Sequence, residues 1–237
     1  MVSPSSFIAS IVAFFVPSHL HKRRFVTQWK DIDSHEETTL HTIVIATGND
    51  HKRAEYDTML SMPGVRCVSL RDLGIAADAP EDGTTFRDNA LQKARYYAAK
   101  TGQTTIADDS GISVTALAGA PGVLSARYGT PDLDDRGRRL LLLNTVNSLD
   151  PADRTATFTC VIAVVRPDGR EFVCAGECRG AIARTEAGNG GFGYDPIFWL
   201  PSHGCTIAAL TQEEKNAISH RGQAVAQLKA MLVALLG

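Results

Sequence analysis

The sequence predicts an α/β fold, because patterns typical of β-strands alternate with patterns typical of helices. An apolar, β-branched run at residues 43–46 has the composition of a buried strand, and a glycine turn and a helical pattern follow it. A second predicted strand, residues 65–70, precedes a helix predicted at about residues 85–100, which begins with capping-box spacing. Residues 155–165 and 171–178 flank a turn and predict a β-hairpin.

Composition sets the broad class of the protein. The chain has 237 residues, and its hydrophobic content of 44% is ordinary for a globular protein with a sizeable core. A formal net charge of −2 gives no general basic surface, so no nucleic-acid partner is expected. The five cysteines are odd in number and form no CxxC pair. A zinc site or disulfide framework is therefore not expected, and a reducing, cytoplasmic location is predicted.

The N-terminal segment differs from the rest of the chain. Its apolar run, residues 7–16, is too short to span a bilayer. Basic residues follow this run, whereas a signal peptide carries them before the apolar core. We interpret residues 1–41 as a poorly ordered extension and residues 42–237 as the functional domain, without stable association with a membrane.

A phosphate site is predicted where the first strand meets the first helix. The turn Thr47-Gly48-Asn49 joins them, and Asn49 or Asp50 is a candidate N-cap. Free N–H groups and the helix dipole favour anions there, and Lys52 adds a positive charge in the first helical turn. The Walker pattern is absent, and a strand–turn–helix unit without a ligand is the alternative.

Two adjacent carboxylates, Asp108 and Asp109, follow another apolar run. We expect them at the end of a buried strand, with Gly111 allowing a turn. Adjacent acidic side chains repel each other unless a cation, a basic group or a proton lies between them, which favours a metal-assisted catalytic centre. A solvated turn is the alternative. Glu81, in a loop before the second helix, is the carboxylate expected to pair with Asp109, whereas Lys93 is predicted to be solvated, with an active-site role as its alternative.

The last third of the chain predicts a site for a flat ligand. Four glycines within residues 188–193 let the backbone approach such a ligand, and Phe192 could stack on a base. A final helix is predicted with Ser219 as its cap, which places His220 and Arg221 at the end that favours anions. Carboxylates, basic helix starts and an aromatic loop together suit a nucleoside triphosphate with Mg²⁺.

Six motifs occur in one order from about residue 42 to the C-terminus. They are Thr47-Gly48-Asn49-x-x-Lys52, Glu81-x-Gly83-x-Thr85-Phe86-x-x-Asn89-Ala90-x-x-Lys93-Ala94, Ala107-Asp108-Asp109-Ser110-Gly111, Pro121-Gly122-x-x-Ser125-Ala126-Arg127-Tyr128, Gly191-Phe192-Gly193-Tyr194-Asp195-Pro196 and Lys215-x-x-x-Ser219-His220-Arg221. In residues, order and spacing the chain resembles the inosine triphosphate pyrophosphatase family, also called dITP/XTP pyrophosphatases.

The resemblance implies an α/β fold in which a long, twisted mixed sheet, with helices on both sides, forms the floor of a central nucleotide cleft between two lobes. It implies a homodimer, and hydrolysis of ITP, dITP and XTP to the monophosphate and pyrophosphate with Mg²⁺, which cleanses the nucleotide pool. Glu81 and Asp109 are the implied metal ligands, and Asp109 is the implied proton acceptor. The implied substrate-binding residues are Thr47, Gly48, Asn49, Asp50, His51, Lys52, Ser110, Phe192, Gly193, Tyr194, Asp195, Lys215, His220 and Arg221.

Three positions depart from the family's usual pattern. His51 stands where glycine is usual, Thr115 replaces a frequent Asp, and Ala209 replaces a frequent Glu. We expect His51 either to narrow the phosphate turn or to add a cationic contact. Two further functions are compatible with the sequence: a nucleotide-binding sensor without catalysis, and a pyrophosphatase for another modified nucleotide.

Overall fold

The computed structural model describes residues 40–149 and 153–236. Within them, seven strands form one mixed sheet: β1 (His41–Ile45), β2 (Val65–Ser69), β3 (Thr104–Val114), β4 (Thr155–Val165), β5 (Glu171–Ile182), β6 (Phe198–Leu200) and β7 (Cys205–Thr206). The strand order is β2-β1-β3-β4-β5-β6-β7. β1 pairs in parallel with β2 and β3, and every later pair is antiparallel.

Helices cover both faces of this sheet. They are α1 (Asp50–Met59), α2 (Phe86–Thr101), α3 (Asp135–Asn147), α4 (Gln212–Ile218) and α5 (His220–Leu236). Because side chains alternate across a strand, Ile43 and Ile45 of β1 pack with α1 and α5, whereas Val44 packs with α2. α3 contributes to a third cluster, over the part of the sheet that includes the end of β3.

The connections place a crevice between β1 and β3. From β1 the chain passes through α1 to β2 on one side, and from β2 it passes through α2 to β3 on the other side. In open α/β sheets, ligands bind outside the carboxyl ends of strands at such a switch point. The register of β1 with β3 ends at Ile45 and Ile106. Beyond this point β3 pairs with β4, and its other edge borders the crevice until Ser113 forms a bridge with Pro121.

The predicted fold class is confirmed, since the chain has an α/β fold with a mixed sheet and helices on both sides. The division into two lobes stays a prediction. Of the predicted extension, residues 1–39 lie outside the described residues, and β1 begins at His41. No helix in residues 40–149 and 153–236 has the length and apolar character needed to cross a membrane.

The predicted ends of two elements need correction. The second strand of the hairpin, expected at residues 171–178, continues to Ile182, because its last residues pair with β6. Asp108 and Asp109 do not end a strand: they lie in the middle of the eleven-residue β3, and both side chains are buried. The alternative of a solvated turn is therefore also wrong.

Gly111 does not form the predicted turn. Its lack of a side chain instead allows a neighbouring segment to pack directly against the β3 backbone. Gly111 lies within β3, where the 3₁₀ segment Gly122–Arg127 crosses it. A Cβ atom at this position would lie 2.5 Å from the carbonyl oxygen of Gly122 and closer still to Ser125 Oγ. That hydroxyl already accepts a hydrogen bond from the backbone N–H of Ile112 at 2.9 Å, so it is fixed in place.

Substitution Gly111→Ala tests this packing. We expect it to lower the free energy of unfolding by about 1–3 kcal/mol, because the added methyl group displaces the crossing segment. Ser113→Ala, at a half-buried position of the same strand, is the matched control and is expected to change stability by less than about 0.5 kcal/mol. Urea denaturation measures both variants. Equal stability of Gly111→Ala and the wild type would contradict the packing described.

Candidate active site

A cavity of about 180 Å³ lies in the crevice beyond the end of β1. It collects side chains from β3 and β4, from all five helices and from the glycine-rich loop. The predicted site residues that line it are Asn49, Lys52, Glu81, Asp109, Ser110, Phe192, Gly193, Tyr194, Asp195, Lys215, His220 and Arg221. Residues far apart in the sequence therefore meet in one place.

Four predicted residues lie outside the lining of this cavity. Thr47 and Gly48 line an adjoining cavity of about 230 Å³, which shares some lining residues with the first. Asp50 is exposed, and its carboxylate contacts Arg71 at 3.0 Å, away from the site. His51 is exposed and contacts the site only through an aromatic ring of the glycine-rich loop.

The start of α1 is built as an anion site. Asn49 is the N-cap: its Oδ1 accepts a hydrogen bond from the backbone N–H of Lys52 at 3.0 Å. Thr47 Oγ1 in turn accepts from the backbone N–H of Asn49 at 3.1 Å, which fixes the turn. Both Asn49 and Lys52 line the cavity. A negatively charged group there would meet the positive end of the helix dipole and an ammonium group.

The two central carboxylates point to opposite faces of β3. Asp108 points toward α1 and α5, in line with Ile106, and Asp109 points toward α2, in line with Ala107. Asp109 lines the cavity, whereas Asp108 is 2% exposed and does not. The neighbouring residues therefore have different partners.

Asp108 is held among positive charges. Its Oδ2 lies 3.0 Å from Lys52 Nζ and 3.1 Å from Arg221 Nη2. Burial alone would raise the pKa of Asp108, but the charges of Lys52, Arg221 and Lys93 outweigh this effect and hold the pKa well below its ordinary value. Asp108 therefore stays ionised and is an anchor for two cations.

Asp109 has the opposite electrostatic character. Its Oδ2 accepts a hydrogen bond from Asn89 Nδ2 at 2.9 Å, and its Oδ1 lies 3.8 Å from Lys93 Nζ. Burial raises the pKa of Asp109, and the charge of Lys93 and the hydrogen bond from Asn89 offset this only in part. A carboxylate with a raised pKa holds a proton more readily, so Asp109 is the better proton acceptor of the adjacent pair.

Lys93 is buried, and its prediction as a solvated lysine is wrong. Only 11% of its side chain is exposed, and its Nζ lies 2.9 Å from Glu81 Oε1 and 3.8 Å from Asp109 Oδ1. Burial lowers the pKa of Lys93, but Asp108, Asp109 and Glu81 outweigh burial and raise it, so the ammonium stays charged. The sequence signal for this role was the four-residue spacing of Asn89 and Lys93 on one helix face.

The carboxylates of Glu81 and Asp109 fit a divalent cation. Both line the cavity, and the ammonium of Lys93 already lies within ion-pair distance of both, so this position stabilises positive charge. Among the residues that the structure describes, no three Asp, Glu, His or Cys side chains converge into a complete set of metal ligands. Mg²⁺ is usually held by one or two carboxylates together with water and substrate phosphates, and this donor set matches that mode.

Glu55 is a site residue that the sequence interpretation missed. It lies in α1 and is 5% exposed. Its carboxylate accepts a hydrogen bond from Arg221 Nη1 at 2.6 Å and forms an ion pair with Lys215 Nζ at 2.7 Å. Lys215 also donates to Asp195 Oδ2 at 2.7 Å. The Glu55 carboxylate thereby holds two basic groups of the cavity wall. The sequence carries no signal for this contact, because its partner Arg221 lies 166 positions away.

His220 lines the cavity and is buried. Its ring stacks on Phe158 with 4.7 Å between centroids and an angle of 9° between planes. Burial lowers the pKa of His220 well below its ordinary value, and the charges of Arg221 and Lys215 add to this effect, so the ring is neutral. Nδ1 is buried and has no hydrogen-bond partner among the described residues. A bound ligand can supply that partner.

Known proteins resemble this chain in sequence. The chain matches the Ham1 family over residues 43–231. It belongs to the Ham1 family. A dITP/XTP pyrophosphatase of Shigella flexneri is 49% identical over 195 residues, which cover 81% of this chain and 97% of the relative. The corresponding protein of Escherichia coli strain K12 is 48% identical over the same length and the same shares.

A solved structure agrees with this membership. A HAM1 protein from Coxiella burnetii superimposes with a TM-score of 0.76 at 42% identity, covering 82% of this chain and all of the other. The predicted family is thereby confirmed, and so is the prediction that the chain is an enzyme of this hydrolase class. The family match begins at Ile43 and so leaves out the N-terminal segment.

The charge of Lys93 is expected to set the pKa of Asp109. Lys93→Met removes a charge that lowers this pKa, so the pKa of Asp109 should rise further above its ordinary value. Lys93→Arg keeps the charge and is the matched control. Titration of the Asp109 carboxyl carbon by ¹³C NMR in magnesium-free buffer measures the shift. An Asp109 pKa that is the same in Lys93→Met and the wild type would show that Lys93 does not act on this carboxylate.

Proposed function

We propose that this protein hydrolyses ITP, dITP and XTP to the monophosphate and pyrophosphate, with Mg²⁺, and thereby removes altered purine nucleotides from the cell's nucleotide pool. The observation that carries the proposal is the cavity that joins a basic helix start, a carboxylate pair and an aromatic ring. The relatives named dITP/XTP pyrophosphatase, at 48–49% identity over most of the chain, support the same activity.

The triphosphate is proposed to lie at the start of α1. The positive end of the α1 dipole and the ammonium of Lys52 favour a polyanion there. Mg²⁺, held by Glu81 and Asp109 with the phosphates, would neutralise the charge that develops on the phosphate oxygens. Lys215 and Arg221 supply further positive charge along the cavity wall.

Asp109 is proposed to activate the attacking water. Its raised pKa and its fixed position beside Asn89 suit a carboxylate that orients water and accepts its proton. Hydrolysis then breaks the bond between the α- and β-phosphates, and pyrophosphate leaves. Lys93 keeps Glu81 and Asp109 close together in the absence of substrate, because it offsets the repulsion between the two carboxylates.

The base is proposed to lie in the cavity between Phe192 and His220. A 6-oxo purine presents an acceptor at the position where adenine presents an amino donor. A buried donor on His220 or Arg221 would form a hydrogen bond with the oxygen of a 6-oxo purine. The same donor would be left unpaired if adenine were bound. An unpaired buried donor costs about 1–3 kcal/mol, which corresponds to roughly tenfold or more in rate.

Two further expectations belong to the proposal. A homodimer follows from the resemblance to the family, and sedimentation of the purified protein tests it. A cytoplasmic location is expected from the odd number of cysteines and the absence of a CxxC pair in the sequence.

A substrate panel with pyrophosphate detection tests the proposed activity. We expect pyrophosphate release from ITP and XTP to be at least about tenfold faster than from ATP, because adenine lacks the 6-oxo acceptor. Release from GTP, which shares that acceptor, is expected to be slower as well, as the resemblance to the family implies. Release should stop when EDTA removes Mg²⁺. Equal turnover of all four nucleotides would contradict the specificity. Tight ITP binding without pyrophosphate release would instead indicate a sensor, and preference for a modified pyrimidine would indicate another substrate class.

A further inference from the structure

His51 and Phe192 form an aromatic stack across the mouth of the site. Their ring centroids lie 5.1 Å apart and their planes differ by 8°. This distance lies in the range of attractive aromatic pairs. His51 belongs to the first turn of α1, and Phe192 belongs to the glycine-rich loop. The stack therefore joins the segment proposed to bind the triphosphate to the segment proposed to bind the base.

Besides His51, two buried cations contact the Phe192 ring: Lys215 Nζ lies 4.6 Å and Arg221 Cζ 5.8 Å from its centroid. None of the hydrophobic clusters found in the described residues includes this ring. Its neighbours Gly191 and Gly193 have positive φ angles of 69° and 57°. The backbone at Phe192 is held by Asp195: the N–H of Phe192 donates to Asp195 Oδ2 at 2.9 Å, and its carbonyl accepts from the N–H of Asp195 at 3.1 Å. These bonds fix the backbone, but they leave the orientation of the ring to its side-chain contacts.

His51 is not part of the cavity wall, although the ring on which it stacks is. Phe192 lines the cavity, and so does Lys215, whose Nζ lies 4.6 Å from the centroid of the Phe192 ring. His51 is exposed and lies outside the lining. The imidazole can therefore stay stacked on Phe192 while a ligand occupies the cavity.

We propose that His51 is a positioning residue for Phe192: its ring holds the phenyl ring in the plane in which it stacks on the purine base. This inference rests on the proposed function for the identity of the ligand. Its consequence is specific to the base. Loss of His51 weakens binding of a nucleotide, whereas a polyphosphate that has no base binds as before.

The test compares His51→Ala with His51→Phe, which retains an aromatic ring. His203→Ala is the matched control, because His203 is an exposed histidine outside the cavity. The expected result for His51→Ala is a KM for ITP about three- to tenfold higher, the range that aromatic pair energies give, with kcat within about twofold of wild type. The inhibition constant of inorganic tripolyphosphate should not change, and His51→Phe should restore the KM.

A double-mutant cycle with Phe192→Ala isolates the stack. If His51 acts through Phe192, the effect of His51→Ala on KM disappears in the Phe192→Ala background. An unchanged KM in His51→Ala, an equal weakening of ITP and tripolyphosphate, or additive effects of the two substitutions would each overturn the positioning role. A wild-type protein that releases no pyrophosphate from ITP would contradict the proposed function instead, and calorimetric binding of IMP to the same variants would then test the stack.

Discussion

The guanidinium of Arg221 joins three elements of the fold at the wall of the cavity. It is 1% exposed, and it donates to Glu55 of α1 at 2.6 Å and to Asp108 of β3 at 3.1 Å, while its own helix α5 packs on the sheet. Removing one partner of such a buried pair leaves an uncompensated charge and costs about 3–5 kcal/mol. Lys52 and Lys215 extend the network at its two ends. The basic groups that line the cavity are thus held in place before any ligand binds, which reduces the ordering that binding requires.

Side chains alternate along β3, so the adjacent carboxylates of Asp108 and Asp109 have different surroundings and different roles. Asp108 points toward Lys52 and Arg221, which keep it ionised and make it part of the framework. Asp109 points toward α2, where burial raises its pKa and leaves it able to accept a proton. This division requires that β3 extend beyond β1, since a longer β1 would cover the free edge of β3 beside which Asp109 lines the cavity. A difference in strand length therefore creates the proposed reaction site.

The sequence predicts the parts of this structure that have local signals. Asn49 as a cap and the hairpin are specified by neighbouring residues, so they are found as predicted apart from the ends of elements. The position of Asp109 within β3 was mistaken for a strand end, because acidic residues and glycine usually terminate strands, and tertiary contacts override that preference here. Glu55 and Lys93 were not recognised as buried, since their burial depends on partners brought together only by the fold. The local sequence pattern identifies the motifs, whereas the register of the strands determines which motifs come together in the site.

The central claim is that Asp108 supports the fold of the site, whereas Asp109 takes part in the proposed chemistry. Matched amide substitutions at the two positions test this claim most directly. The free energy of unfolding and kcat for ITP are measured for Asp108→Asn and Asp109→Asn. Asp108→Asn is predicted to lose about 3 kcal/mol of stability, because it leaves buried cations without their counter-ion. Asp109→Asn is predicted to keep or exceed wild-type stability, since the raised pKa of Asp109 means that its charge opposes folding at neutral pH, and to lose at least about 100-fold in kcat. Equal losses of stability in the two variants, or a near-normal kcat in Asp109→Asn, would contradict the account.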